Sequence, residues 1–90
     1  MVKKQMEIVN KTGLHARPAS EFVLKAKKFE SKVTIRNLDQ DGEAVNAKSI
    51  VRLLAEGMRQ GTRIEIGVEG PDEENAAEEL SALIENGFGE

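Results

Sequence analysis

The chain reads as an α+β open-faced β-sandwich, a four-stranded antiparallel sheet covered on one face by three helices in the order βαββαβα. Three observations lead there. Four segments alternate polar and apolar residues, as half-buried strands do, and three others repeat their apolar residues at helical spacing. Clusters rich in Asn, Asp, Gly and Pro separate them, with no linker, repeat or low-complexity stretch between. Each helix thus carries one apolar stripe and the sheet one apolar face, and each needs the other to leave water.

Gln5 to Val9 is the first expected strand, with Met6 and Ile8 on one face, and Asn10-Lys11-Thr12-Gly13 is the turn that ends it. A helix follows from Ala16 to about Lys28. There Ala19, Phe22, Val23 and Ala26 share a face, and Pro18 lies in the first turn, where a missing N–H costs nothing. Lys32 to Leu38 is the second strand, turning Val33 and Ile35 inward and Thr34 and Arg36 outward. Asp39-Gln40-Asp41-Gly42 then reverses the chain, so that Glu43 to Ala47 can pair back as a hairpin. Ser49 opens a short helix through Ile50, Leu53 and Leu54, closed by Gly57. Thr62 to Glu69 is the last strand, with Ile64, Ile66 and Val68 inward and Glu65 on the solvated face. Pro71-Asp72-Glu73-Glu74 starts the last helix with Asp72 as its cap, and Ala76, Leu80, Leu83 and Ile84 mark its buried stripe.

A length of 90 residues fits one domain spanning 1–90. With 13 basic and 16 acidic residues the net charge is −3, whereas nucleic-acid binders are normally basic, and there is no Trp or Tyr for bases to stack on. No apolar run approaches the ~20 residues that cross a bilayer, and MVKKQMEIVN lacks the apolar core of a secretory leader. A cytoplasmic protein with no membrane and no nucleic-acid partner is therefore expected. The absence of Cys removes thiolate chemistry, and one histidine cannot complete a nitrogen ligand set, so no metal and no cofactor are expected.

That one histidine, His15, lies in Thr12-Gly13-Leu14-His15-Ala16-Arg17-Pro18-Ala19, directly before a helix. The first turn of a helix presents unpaired N–H groups and a partial positive charge, which together attract an anion. Its potential favours the neutral, nucleophilic imidazole and would also stabilise a phosphate once attached. Arg17 can add a bidentate donor, and Thr12 and the Ala16 backbone are close enough in sequence to join. Taken alone, a histidine here reads first as a plain cap or loop residue. Lys25, Lys27 and Lys28 read as a solvated face beside the site that could also steer an acidic enzyme.

The chain resembles the histidine-containing phosphocarrier family HPr of the bacterial phosphoenolpyruvate-dependent sugar phosphotransferase system. The resemblance runs nearly end to end, through GLHARPA at Gly13 to Ala19, Phe22-Val23, NAKSI at Asn46 to Ile50, the strand Thr62 to Val68 and the terminal Phe88-Gly89-Glu90. It implies that His15 accepts phosphate on Nδ1 from enzyme I and donates it to IIA proteins or domains, with Arg17 neutralising the phosphate. It also implies that Ser49 is a regulatory serine, open to HPr kinase/phosphorylase and linked to a catabolite-control transcription factor. By position alone Ser49 is a helix cap. Ile50, Val51 and Leu54 cannot all turn inward on one short helix, so some of them should form an apolar docking patch. The sequence departs from many members at Val51, Arg52 and Leu54, at Leu24 on the first helix, and in a longer turn at Asp39 to Glu43.

Two other readings compete. One is a regulatory binding module acting only through phosphorylated Ser49, which would not need His15 and Arg17. The other is the same chemistry in a nitrogen-related or dihydroxyacetone-kinase phosphorelay. A carrier that docks on two partners in turn is most simply a monomer.

Overall fold

The structure, a computed structural model, describes residues 1–90. The strands β1 (Val2–Glu7), β2 (Lys32–Asn37), β3 (Val45–Asn46) and β4 (Arg63–Glu69) form one antiparallel sheet in the order β1-β4-β2-β3. Helices α1 (Ala16–Lys27), α2 (Ile50–Ala55) and α3 (Glu73–Glu85) alternate with them, and a short 3-10 turn, Gly87–Gly89, follows α3. The expected α+β open-faced sandwich is the observed one.

Period-two alternation explains the sheet. Val33, Ile35, Ile64, Ile66 and Val68 are buried beneath the helices, while Lys3, Gln5 and Arg36 face solvent, where the Gln5 amide donates to the Glu65 carboxylate at 3.0 Å. The helical stripes supply the other half of the core: Ala19, Phe22, Val23 and Ala26 from α1, Leu53 from α2, and Ala76, Ala77, Leu80 and Ile84 from α3. Leu83 is only half-buried, at the edge of that cluster.

Three local expectations are corrected. The first strand runs over Val2–Glu7 rather than Gln5 to Val9, because β4 pairs with it from Val2↔Val68 to Glu7↔Arg63, and cross-strand pairing outweighs the local pattern. Glu43 to Ala47 supplies only two paired residues, Val45 and Asn46. Before them the chain is drawn off towards β4, since the Leu38 N–H donates to the Arg63 carbonyl at 2.8 Å and Asp39 takes the Arg63 N–H at 3.0 Å. Asp72 precedes α3 but its side chain does not cap it. The carboxylate instead accepts the N–H groups of Glu30 and Ser31, at 2.9 and 3.0 Å, and the Ser31 hydroxyl. It ties the start of α3 to the turn between α1 and β2.

Candidate functional site

The loop from Asn10 to Arg17 is built outward from two anchors. The Gly13 N–H donates to the Asn10 carbonyl at 3.2 Å, closing a turn, and the Asn10 amide donates to the Gly13 carbonyl at 2.9 Å. Gly13 has φ +65°, and a Cβ there would lie 2.5 Å from the Met58 carbonyl oxygen, so the backbone approach requires glycine. Leu14 is wholly buried and its N–H donates to the same Met58 carbonyl at 2.9 Å. The turn is thereby fixed against the segment that follows α2.

His15 comes next, half-buried, as the N-cap of α1 with extended backbone (φ −132°, ψ 160°). Its side chain makes no cap hydrogen bond, and no acidic residue occupies the first turn. Ala16 holds φ +52°, a left-handed conformation that costs a non-glycine residue about 1 kcal/mol or more. The start of α1 is therefore strained and uncapped, with the imidazole beside it.

Thr12 and Arg17 both face carboxylates. The Thr12 hydroxyl donates to Glu90 Oε2 at 2.9 Å and accepts from the Asn10 amide at 3.2 Å. Glu90 Oε1 also takes the Thr12 N–H and the Asn10 amide, each at 3.5 Å. These contacts hold the Glu90 carboxyl below its usual range, the Thr12 hydroxyl contributing most, with the Arg17 charge adding in the same direction. Arg17 itself is exposed, its Nε 3.5 Å from the Glu21 carboxylate one turn along. Both donors expected for a phosphate are thus already oriented towards negative charge.

Ser49 is the N-cap of α2, half-exposed, and its hydroxyl accepts the Arg52 N–H at 3.3 Å. Of the three docking candidates, Val51 is 74% and Leu54 42% exposed, whereas Ile50 is half-buried against the core. Leu24 on α1 is 62% exposed and shares a shallow groove with Ser20, Val23, Lys27 and Ile50. That groove lies between α1 and α2, with Ile50 the one docking candidate that lines it.

A family model described as the PTS HPr component phosphorylation site matches residues 2–86. The chain belongs to the HPr family. Among relatives of the HPr family member, a phosphocarrier protein HPr of Borreliella burgdorferi is 48% identical over 86 residues, covering 96% of each chain. A multiphosphoryl transfer protein of Vibrio cholerae is 46% identical over 83 residues, 92% of this chain, but the chain spans only 21% of that relative's length. The crystal structure of HPr-C-His from Thermoanaerobacter tengcongensis superposes with a TM-score of 0.93 at 47% identity, covering 100% of this chain and 98% of the other. A dimer of HPr from that organism is also similar, at a TM-score of 0.77, 47% identity and 100% of both chains, so the expectation of a monomer finds no support among relatives. HPr family members work with other proteins of the phosphotransferase system. No helix is long and apolar enough to cross a membrane.

Sequence reasoning missed Asn10, Glu21, Glu90 and the Met58 backbone as parts of this site. Asn10 stood out only as a turn former, and Glu90 lies 78 positions from the threonine it touches. The i, i+4 spacing of Arg17 and Glu21 was the one local signal available.

Proposed function

We propose that the chain, acting as one unit over 1–90, is a phosphocarrier that takes a phosphoryl group on His15 from phosphorylated enzyme I and passes it to sugar-specific IIA proteins. The observation that carries this reading is the chain's one histidine at the uncapped start of α1, in a family described by its phosphorylation site. The neutral imidazole Nδ1 attacks phosphorus as the bond to the donor's leaving nitrogen breaks. The same exchange, run towards an acceptor, empties the site. The Ala16 and Arg17 backbone amides, the Arg17 guanidinium and the Thr12 hydroxyl neutralise the phosphoryl oxygens in both steps. Val51, Leu54 and Ile50, with Leu24, provide the apolar surface on which both partners dock in turn.

Incubation with enzyme I and phosphoenolpyruvate should add one acid-labile phosphate by intact mass, absent from a folded His15→Ala variant. A phosphate that persists on His15→Ala would overturn the assignment.

Ser49 is the second modification point in this reading. Its hydroxyl already faces the α2 amides, so an added charge of about −1.5 to −2 is tolerated by the fold but meets an apolar docking surface beside Val51. Ser49→Asp should slow enzyme I-dependent phosphorylation partially and Ser49→Ala leave it near normal; equal rates in both would reduce Ser49 to a helix cap.

A further inference from the structure

Asn10 is 3% exposed, yet its Oδ1 has no hydrogen-bond partner while Nδ2 faces three acceptors. A buried unpaired acceptor is costly, so the donor side must dictate how the amide sits. Reversing the amide would set Oδ1 against the Gly13 carbonyl and the Glu90 carboxylate, both of them acceptors only. The orientation is therefore fixed by chemistry.

Its consequence falls on Thr12. A hydroxyl has one proton, and because Oγ1 already accepts from Asn10 at 3.2 Å, that proton is free to point the other way, where it meets the Glu90 carboxylate at 2.9 Å. We propose that Asn10 is a positioning residue for phosphoryl transfer: its buried amide commits the Thr12 hydroxyl to donate towards an anion and clamps the Gly13 carbonyl in the turn that carries His15. The inference rests on His15 being the phosphate carrier. It assigns to Asn10 the preorganisation of a donor that would otherwise have to reorient during transfer.

The test uses the full chain, enzyme I and phosphoenolpyruvate, with Asn10→Ala and the near-isosteric Asn10→Asp, which replaces the donor by an acceptor. Circular dichroism establishes folding, and if Asn10→Ala does not fold then Asn10→Asp carries the comparison. The maximal rate of His15 phosphorylation should fall roughly tenfold in each, with the KM for enzyme I unchanged, because positioning acts in the transition state and not in docking. In a Thr12→Val background, Asn10→Ala should cost only the smaller part that the Gly13 clamp carries, since the donor it orients is already gone. Wild-type maximal rates in the folded variants, or a full additional loss in the Thr12→Val background, would overturn the proposal. Failure of the wild-type chain to take any acid-labile phosphate would overturn the carrier reading itself, and this inference with it.

Discussion

The starts of α1 and α2 are both entered through an extended cap residue yet left in opposite states. At α2 the cap is satisfied internally: Ser49 is extended, its hydroxyl takes the Arg52 N–H at 3.3 Å, and its carbonyl takes the Leu53 N–H at 3.0 Å. At α1 the cap residue is a histidine whose side chain caps nothing, followed by Ala16 in a left-handed conformation. The start of α3 is a third case, its Asp72 carboxylate spent on the neighbouring turn. Only α2 is closed by its own cap side chain, whereas the start of α1 stays open and is held by contacts behind it. Behind α1 those contacts are the Met58 carbonyl, buried Leu14 and the Asn10 amide.

The largest expected effect tests that backing directly. Gly13→Ala places a Cβ 2.5 Å from the Met58 oxygen at φ +65°, whereas Gly57→Ala meets nothing within 4 Å at φ +60°. Backbone strain alone costs ~1 kcal/mol, and a clash with backbone adds about 1 to 3, so Gly13→Ala should lose roughly 2 to 4 kcal/mol and Gly57→Ala about 1. Denaturant unfolding measures both. Equal losses would mean that the loop is not clamped where the structure puts it.

A smaller and purely kinetic effect is expected at Arg17. Its only ion-pair partner is Glu21, at 3.5 Å on the surface, so Arg17→Ala should change stability by less than about 0.5 kcal/mol. Transfer should nevertheless slow about tenfold to a hundredfold, and Arg17→Lys less, because lysine keeps the charge but loses the planar fork. Unchanged transfer kinetics in Arg17→Ala would remove it from the mechanism.

The smallest effect belongs to the start of α3, where the Asp72 carboxylate holds the neighbouring turn, and it depends on pH. The Ser31 hydroxyl, followed by the Glu30 N–H, lowers the Asp72 carboxyl from its ordinary value. A carboxylate with a lowered folded value contributes stability above its unfolded value, near ~4, and loses it as pH falls through the folded one. Asp72→Asn should therefore lower the unfolding temperature at neutral pH and cease to matter in strong acid. A deficit that persists unchanged in acid would show that packing, not charge, holds this turn.

Most of the fold was legible because its strands and helices have different apolar periods, and Ile64, Ile66 and Val68 or Ala19, Phe22, Val23 and Ala26 announce their faces without outside help. The hairpin partner was overestimated because the pull on Leu38 and Asp39 comes from Arg63, on another strand. In the site, His15, Arg17 and Thr12 stand in one octad and could be gathered by position alone. Their conditioning could not: Met58 and Glu90 reach the loop only through the fold, and an asparagine in a turn gives no sign that its amide is buried.

The central claim is that the open start of α1, rather than the closed start of α2, receives the phosphoryl group. Backbone amide spectra of 15N-labelled protein before and after phosphorylation by enzyme I measure this residue by residue. The account predicts the largest shifts at Thr12, Ala16 and Arg17, with Val51 and Arg52 nearly still. Dominant shifts at the start of α2, with the Ala16 and Arg17 amides unmoved, would contradict it.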